Sequence, residues 1–253
     1  MDCNKMVNFE KEIEVINIEI DHLNVEKKAF IEFADRIEEL GVENMPISKR
    51  NSYLINNERR TNISDKIRQI YSDTVLDMAH YDEIYDEPIE ENMVHELGCE
   101  IYTVTEESCS LTSNLKNWLI SAAVDAANRR KDFKQVIKKE KRYIKDFEQI
   151  LEDICERSTR IRDAYSRAEN FSQNIDIYNR FEELLGRCEE LTINRQKQIQ
   201  SRKAVPSGFY NGDFEEYLYS DLTNQYPILN LLSKFARILK KDIDKLATTR
   251  KSS

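Results

Sequence analysis

Three histidines, His22, His80 and His95, are the only side chains of this 253-residue chain whose ordinary titration lies near neutral pH. Glu19 and His22 stand three residues apart, which on a helix puts both on one face. Two-metal carboxylate bundles use that spacing, but they need a second Glu-x-x-His pair and two further glutamates on facing helices. Asp77 with His80 is the nearest imitation of a second pair, so His22 is expected to be an interface histidine. Glu91, His95 and Cys99 repeat every four residues and combine ligand types that a transition metal accepts. Gly98 breaks that row, and ligands in a single row do not converge on an ion. No Gly-rich phosphate loop, G-x-S-x-G elbow or H-E-x-x-H motif occurs. The five cysteines, at 3, 99, 109, 155 and 188, form no CxxC pair and are expected to be reduced thiols, with Cys155 and Cys188 as small core residues. The expectation is a chain with no catalytic, cofactor-binding or metal-ligating residue, and not an enzyme.

Two segments could instead bind something. His80-Tyr81-Asp82-Glu83-Ile84-Tyr85-Asp86-Glu87-Pro88 is a tyrosine-bearing acidic turn, and with Glu91 and Asn92 it gives a candidate docking set of His80, Tyr81, Tyr85, Glu87, Glu91 and Asn92. The tyrosines could equally pin the turn to its neighbours through their rings. From Arg129 to Lys145 nine basic residues stand against Asp132 and Glu140. Arg129, Arg130, Lys138, Lys139, Lys141, Arg142 and Lys145 are the candidate basic face, suited to an acidic protein or a phosphate backbone. By contrast, residues 69–115 hold twelve acidic residues and no Lys or Arg. A net charge of −9 weighs against general nucleic-acid binding.

Long helices must position these segments. Five Gly and four Pro are few for this length, so turns are rare and elements long. Met6, Phe9, Ile13, Ile16, Ile20, Leu23, Lys27, Phe30, Ala34 and Ile37 alternate steps of three and four, the spacing of a coiled-coil seam. Val15, Ile18, His22, Val25 and Ala29 add a second stripe, which predicts that this helix is covered on two sides, within a bundle or by a second copy. A short helix is predicted over 64–79, and another runs from Pro88 to a stop at Gly98. Residues 111–171 contain no Gly or Pro and predict one helix on the order of 90 Å long. A turn at Ser172–Asn174 reverses it into a partner helix that ends before Pro206. The last helix, interrupted at Pro227, is expected to close the group of short helices.

The predicted fold is all-α: an elongated antiparallel coiled-coil bundle with a small helical head. Its parts are an N-terminal helix (1–41), a connector and acidic head (42–110), a long hairpin stalk (111–204) and a returning C-terminal helix (205–253). The first twenty residues alternate acidic and apolar side chains, unlike a secretory signal, and no apolar run approaches the ~20 residues of a membrane span, so a cytoplasmic protein is expected.

Two sets of residues carry a resemblance. The first is Ile70-Tyr71-Ser72-Asp73-Thr74-Val75, His80-Tyr81, Tyr85, Glu87-Pro88, Glu91-Asn92 and Glu96-Leu97-Gly98. The second is Tyr217-Leu218-Tyr219, Asp221-Leu222 and Tyr226-Pro227-Ile228-Leu229. The chain resembles an uncharacterised all-helical family of archaeal proteins best represented in haloarchaea, although it is rich in Lys, Ile and Asn where those members favour Ala, Arg and Glu. The resemblance implies a fold and no activity, cofactor or partner. The expected function is a non-enzymatic scaffold that binds protein, a second copy included. An adaptor for nucleic acid or an acidic partner at the basic face is the less favoured alternative, a metal-dependent enzyme of the helical bundle using His22, His80 or His95 comes after it, and no small-molecule substrate is indicated.

Overall fold

The computed structural model describes residues 7–42, 63–81, 87–108, 110–168, 171–202 and 212–251. Among these residues there are eight α-helices and no strand. They are α1 (Glu10–Glu39), α2 (Ile63–Tyr71), α3 (Ile89–Leu97), α4 (Cys99–Glu107), α5 (Ser113–Ser166), α6 (Phe171–Ser201), α7 (Phe214–Leu218) and α8 (Pro227–Lys251). Side-chain caps fix two of the starts. Asn8 Oδ1 accepts the Glu10 amide at 2.8 Å, and Thr112 Oγ1 accepts the Leu115 amide at 3.2 Å. Pro88 precedes α3, where its fixed φ suits a helix entry, and Gly98 ends it at φ 99° and ψ 144°, a conformation open to glycine.

The expected helix over 64–79 is shorter. It ends at Tyr71 and continues as a π-helical turn, Ser72–Leu76, in which the Asp77 amide reaches back to the Ser72 carbonyl at 3.1 Å. Thr74 bonds the Ile70 carbonyl with its hydroxyl at 2.7 Å, the local competition that loosens a helix ladder. Helix α4 has no counterpart in the sequence reading. The turn between α5 and α6 falls after Ser166, so Ser172, Gln173 and Asn174 lie inside α6. The connector at 42–62 lies almost wholly outside the described residues.

The chain divides into two compact units, and both α1 and α5 contribute to each. One comprises residues 18–136 with 206–209, and its core packs Phe30, Phe33 and Ile37 of α1 against Ile67 and Tyr71 of α2, Met93 of α3 and Leu119 of α5. Buried Ala123, Ala126 and Ala127 let the backbone of α5 approach its neighbours closely. The other comprises residues 1–17, 137–205 and 210–253. Here Ile144, Leu151 and Ile154 of α5, Phe181 and Cys188 of α6, and Leu232 and Leu239 of α8 are buried. An Arg162 to Asp242 bond of 2.7 Å ties α5 to α8. The C-terminal helix thus belongs with α6 rather than with the short helices it was expected to close, because its stripe Ile228, Leu232, Phe235, Leu239 and Ile243 finds its apolar partner there. Cys155 is disulfide-bonded, against the expectation of five reduced thiols.

Candidate functional site

In the unit formed by residues 18–136, a charged network lies inside the apolar core. Glu26 sits three residues after Leu23 and four before Phe30, on the buried face of α1. Arg130 occupies the matching place on α5, between Ala126 and Phe133. Both are only 2% exposed. Arg130 donates from Nε to Glu26 Oε2 at 2.9 Å and from both terminal nitrogens to the Glu96 carboxylate of α3 at 2.5 Å. Its guanidinium also lies 4.5 Å from the centre of the Phe30 ring. Arg129 donates to Glu96 as well, at 2.8 Å. These charge-assisted bonds are what allow two carboxylates and a guanidinium to leave water.

The network extends to His80, and a second hydrogen-bond chain starts from Tyr71. His80 Nε2 stands 3.4 Å from Glu26 Oε1, and its ring stacks on His22 with centroids 4.2 Å apart and planes 12° from parallel. His22 Nδ1 lies 3.9 Å from Glu19, so the E-x-x-H pair is a local contact beside a histidine stack. Tyr71 donates its hydroxyl to Asn92 Oδ1 at 2.6 Å, and Asn92 donates to Glu87 at 2.5 Å. The other Glu87 oxygen lies 3.1 Å from His95 Nδ1. Burial, with the Glu96 charge adding to it, holds the Tyr71 hydroxyl well above the ordinary tyrosine range, so it stays a donor.

The second unit repeats the device. Glu140, three residues after Ile137 and four before Ile144, accepts from Arg195 at 2.7 and 3.1 Å, from the Tyr219 hydroxyl at 2.9 Å, and from Arg202. Arg202 also donates to Glu215 at 2.7 Å. Burial pushes the Glu140 carboxyl up, but Arg195 and Arg202 together outweigh it and hold the group below the usual glutamate range. Cys188 of α6 is a buried thiol pushed up to about 11 by desolvation, which makes it a poor nucleophile at neutral pH.

A third feature lies on the surface. Between α4 and α5 a groove of about 590 Å³ is lined by Cys99, Glu100, Ile101, Thr103, Val104 and Trp118. A second depression of about 240 Å³ shares Ile101 and Trp118 and extends along α5 to Ala122 and Asp125. Trp118 falls in the apolar period of the long helix, yet it is 51% exposed and borders both hollows.

Residues 8–242 match the family described as a domain of unknown function, DUF7260. The chain belongs to this family. No curated protein and no solved structure matches it. In this DUF7260 chain the two predicted binding segments meet: His80 from the turn and Arg129 and Arg130 from the basic stretch converge through Glu26 and Glu96. Tyr81 is buried and donates to the Glu87 carbonyl at 3.3 Å, whereas Glu91 is exposed. Tyr85 lies outside the described residues. Arg130 is not part of a surface face, because it completes the core network. Arg129 is half-buried on Glu96, and Lys141 is half-buried and bonds Asn17. Lys138, Lys139, Arg142 and Lys145 are exposed. Among the described residues no helix is long and apolar enough to cross a membrane. Among the same residues no group of three His, Cys, Asp or Glu is arranged to hold a metal ion.

Proposed function

We propose that this chain is a non-enzymatic helical scaffold that binds protein through exposed helix faces, a second copy of itself included. The second apolar stripe of α1 carries this proposal. Ala29 of that stripe is in the core and His22 stacks on His80, but Ile18 and Val25, one heptad apart, stay 49% and 42% exposed. A heptad-spaced apolar pair on a long helix is what a second helix covers in a coiled coil. The saturated ion networks fit the same purpose, since carboxylates and guanidinium groups engaged with each other serve architecture. Light scattering at micromolar concentration should give about twice the 29.9 kDa chain mass, and Ile18→Glu with Val25→Glu should return it to that mass. A monomeric unmodified chain under those conditions removes self-association.

A second reading rests on Lys138, Arg142 and Lys145, which are exposed at i, i+4 and i+7 on one face of α5. It makes the chain an adaptor for nucleic acid or an acidic partner. Duplex DNA binding at low salt that declines steeply with added salt, and is lost in Lys138→Gln/Arg142→Gln/Lys145→Gln, would transfer the assignment to that face.

A further inference from the structure

We propose that the groove between α4 and α5, centred on Trp118, is a docking site for a basic amphipathic helix of a partner protein. It is a different surface from the Ile18 and Val25 face of α1, so it stands or falls apart from self-association.

The groove has the composition of an interface centre. Ile101 and Val104 of α4 face Trp118 of α5 across an open hollow of about 590 Å³. A half-exposed Trp at the centre of such a hollow is the residue type that most often dominates binding when it becomes covered. Two neighbouring helices form the walls, and a third helix fits such a trough by setting its ridges between theirs. The dimensions agree. Helix α4 has nine residues, about 13 Å of length. Anchors at i, i+3 or i+4, and i+7 of a bound helix span about 11 Å. The adjoining 240 Å³ hollow, reached across Trp118 and Ile101, gives the last anchor a place.

Charge selects the occupant. Glu100 lies on the groove wall, Glu107 follows it one heptad later on the same face of α4, and Asp125 borders the second hollow. All three are exposed, and among the described residues none pairs with them. The cations nearby already have partners: Arg129, which lines the second hollow, is engaged with Glu96, and Lys116 with the carbonyls of Glu38 and Leu40. The α4 wall of the groove also lies within residues 69–115, which carry twelve acidic side chains and no Lys or Arg. An acidic rim around an apolar floor accepts a helix with apolar anchors on one side and Lys or Arg on its flanks, and repels the acidic equivalent.

The test uses the full chain and two synthetic helices of about five turns. They share one pattern of Leu anchors, one with Lys and the other with Glu at the remaining positions. Trp118 is the only tryptophan, so its emission reports the groove directly. The Lys peptide should shift Trp118 emission to the blue and bind saturably, and the Glu peptide should bind at least tenfold more weakly. Trp118→Ala, followed by anisotropy of the labelled Lys peptide, should weaken binding at least tenfold. Glu100→Lys with Glu107→Lys should do the same, with helix content by circular dichroism unchanged in each variant. Unchanged peptide affinity in Trp118→Ala, or equal affinity for the two peptides, overturns the assignment. Light scattering of the same variants separates the two proposals, because loss of peptide binding should leave the dimer mass in place.

Discussion

Replacing Arg130 by methionine keeps an unbranched apolar stem but shortens the side chain, and it removes the charge that the core of residues 18–136 is built around. The guanidinium supplies one bond to Glu26 and two to Glu96 and lies over Phe30, and it is 2% exposed. Its removal leaves Glu26 and Glu96 as carboxylates with 2% and 5% exposure and reduced compensation. Breaking one side of a buried pair costs about 3–5 kcal/mol, because the partner charge stays desolvated. For a chain of this size that is a fall in melting temperature of roughly 6–20 °C. Arg130→Lys retains a charge but cannot span both carboxylates with a planar fork, so it should lose less than methionine while remaining below the parent. Urea unfolding at pH 7, followed by helix signal and by Trp118 emission, gives the values. Glu26→Gln in the Arg130→Met background should cost less than it does alone, with a coupling of more than about 1 kcal/mol. A loss under about 1 kcal/mol for Arg130→Met would show that the network is not what holds α1, α3 and α5 together.

Two glycines should respond to the same substitution with opposite signs. Gly98 has φ 99°, so Gly98→Ala should destabilise by roughly 1–3 kcal/mol from backbone strain alone, since an added Cβ meets nothing within 4 Å. Gly186 lies in the middle of α6 with the same open space, and Gly186→Ala should stabilise by about 0.5–1 kcal/mol. Thermal melts of both variants beside the parent decide this. Glu140 titrates below the ordinary 4.5 in the fold, so its stabilising contribution is complete at neutral pH and is lost as pH falls below 4.5 through the folded value. Glu140→Gln should therefore be less stable at pH 7 and show a flatter decline in acid, read from urea midpoints between neutral pH and about pH 3.

The helices were legible because their signals are long. The seam from Phe9 to Ile37 survives nearly intact, and the Gly-free, Pro-free stretch after Leu111 is one helix of 54 residues. Helix α4 was hidden because Ile101, Tyr102, Thr103, Val104 and Thr105 favour extended backbone by propensity, and tertiary packing against α2 and α3 overrides it. The buried network was half visible. His80 and Asn92 belong to the candidate docking set and Arg129 and Arg130 to the candidate basic face, but Glu96 stands only among the residues that carry the resemblance and Glu26 in no candidate set. A positional signal existed: Glu26, Arg130 and Glu140 each occupy an apolar stripe, three residues from one core side chain and four from another. A charge at such a place is either solvated at a gap in the packing or paired inside, and one sequence does not say with what. Trp118 shares the apolar period of α5 and is nonetheless exposed, because periodicity marks the face of a helix and not whether another element arrives to cover it.

Both networks have carboxylates and guanidinium groups from helices far apart in sequence, with spans of 104 residues for Arg130 to Glu26 and 55 for Arg195 to Glu140. Long helices with heptad-spaced apolar seams can slide by seven residues and still bury Leu and Ile against Leu and Ile, so hydrophobic burial alone chooses a register weakly. A buried charge tolerates that slip poorly: displaced by one heptad, about 10 Å, α1 would set Phe33 against Arg130 in one direction, and in the other Glu19, with Glu26 moved away from both Arg130 and His80. We therefore expect the network to define register more than it adds stability. Replacing the three together, Glu26→Leu, Arg130→Met and Glu96→Leu, should leave the melting temperature close to the parent or above it, unlike Arg130→Met alone. Amide resonances of α1 should then multiply as alternative registers become populated. A single set of α1 resonances in the triple variant, with stability retained, would show that the apolar side chains already fix the register and that the buried charges serve some other purpose.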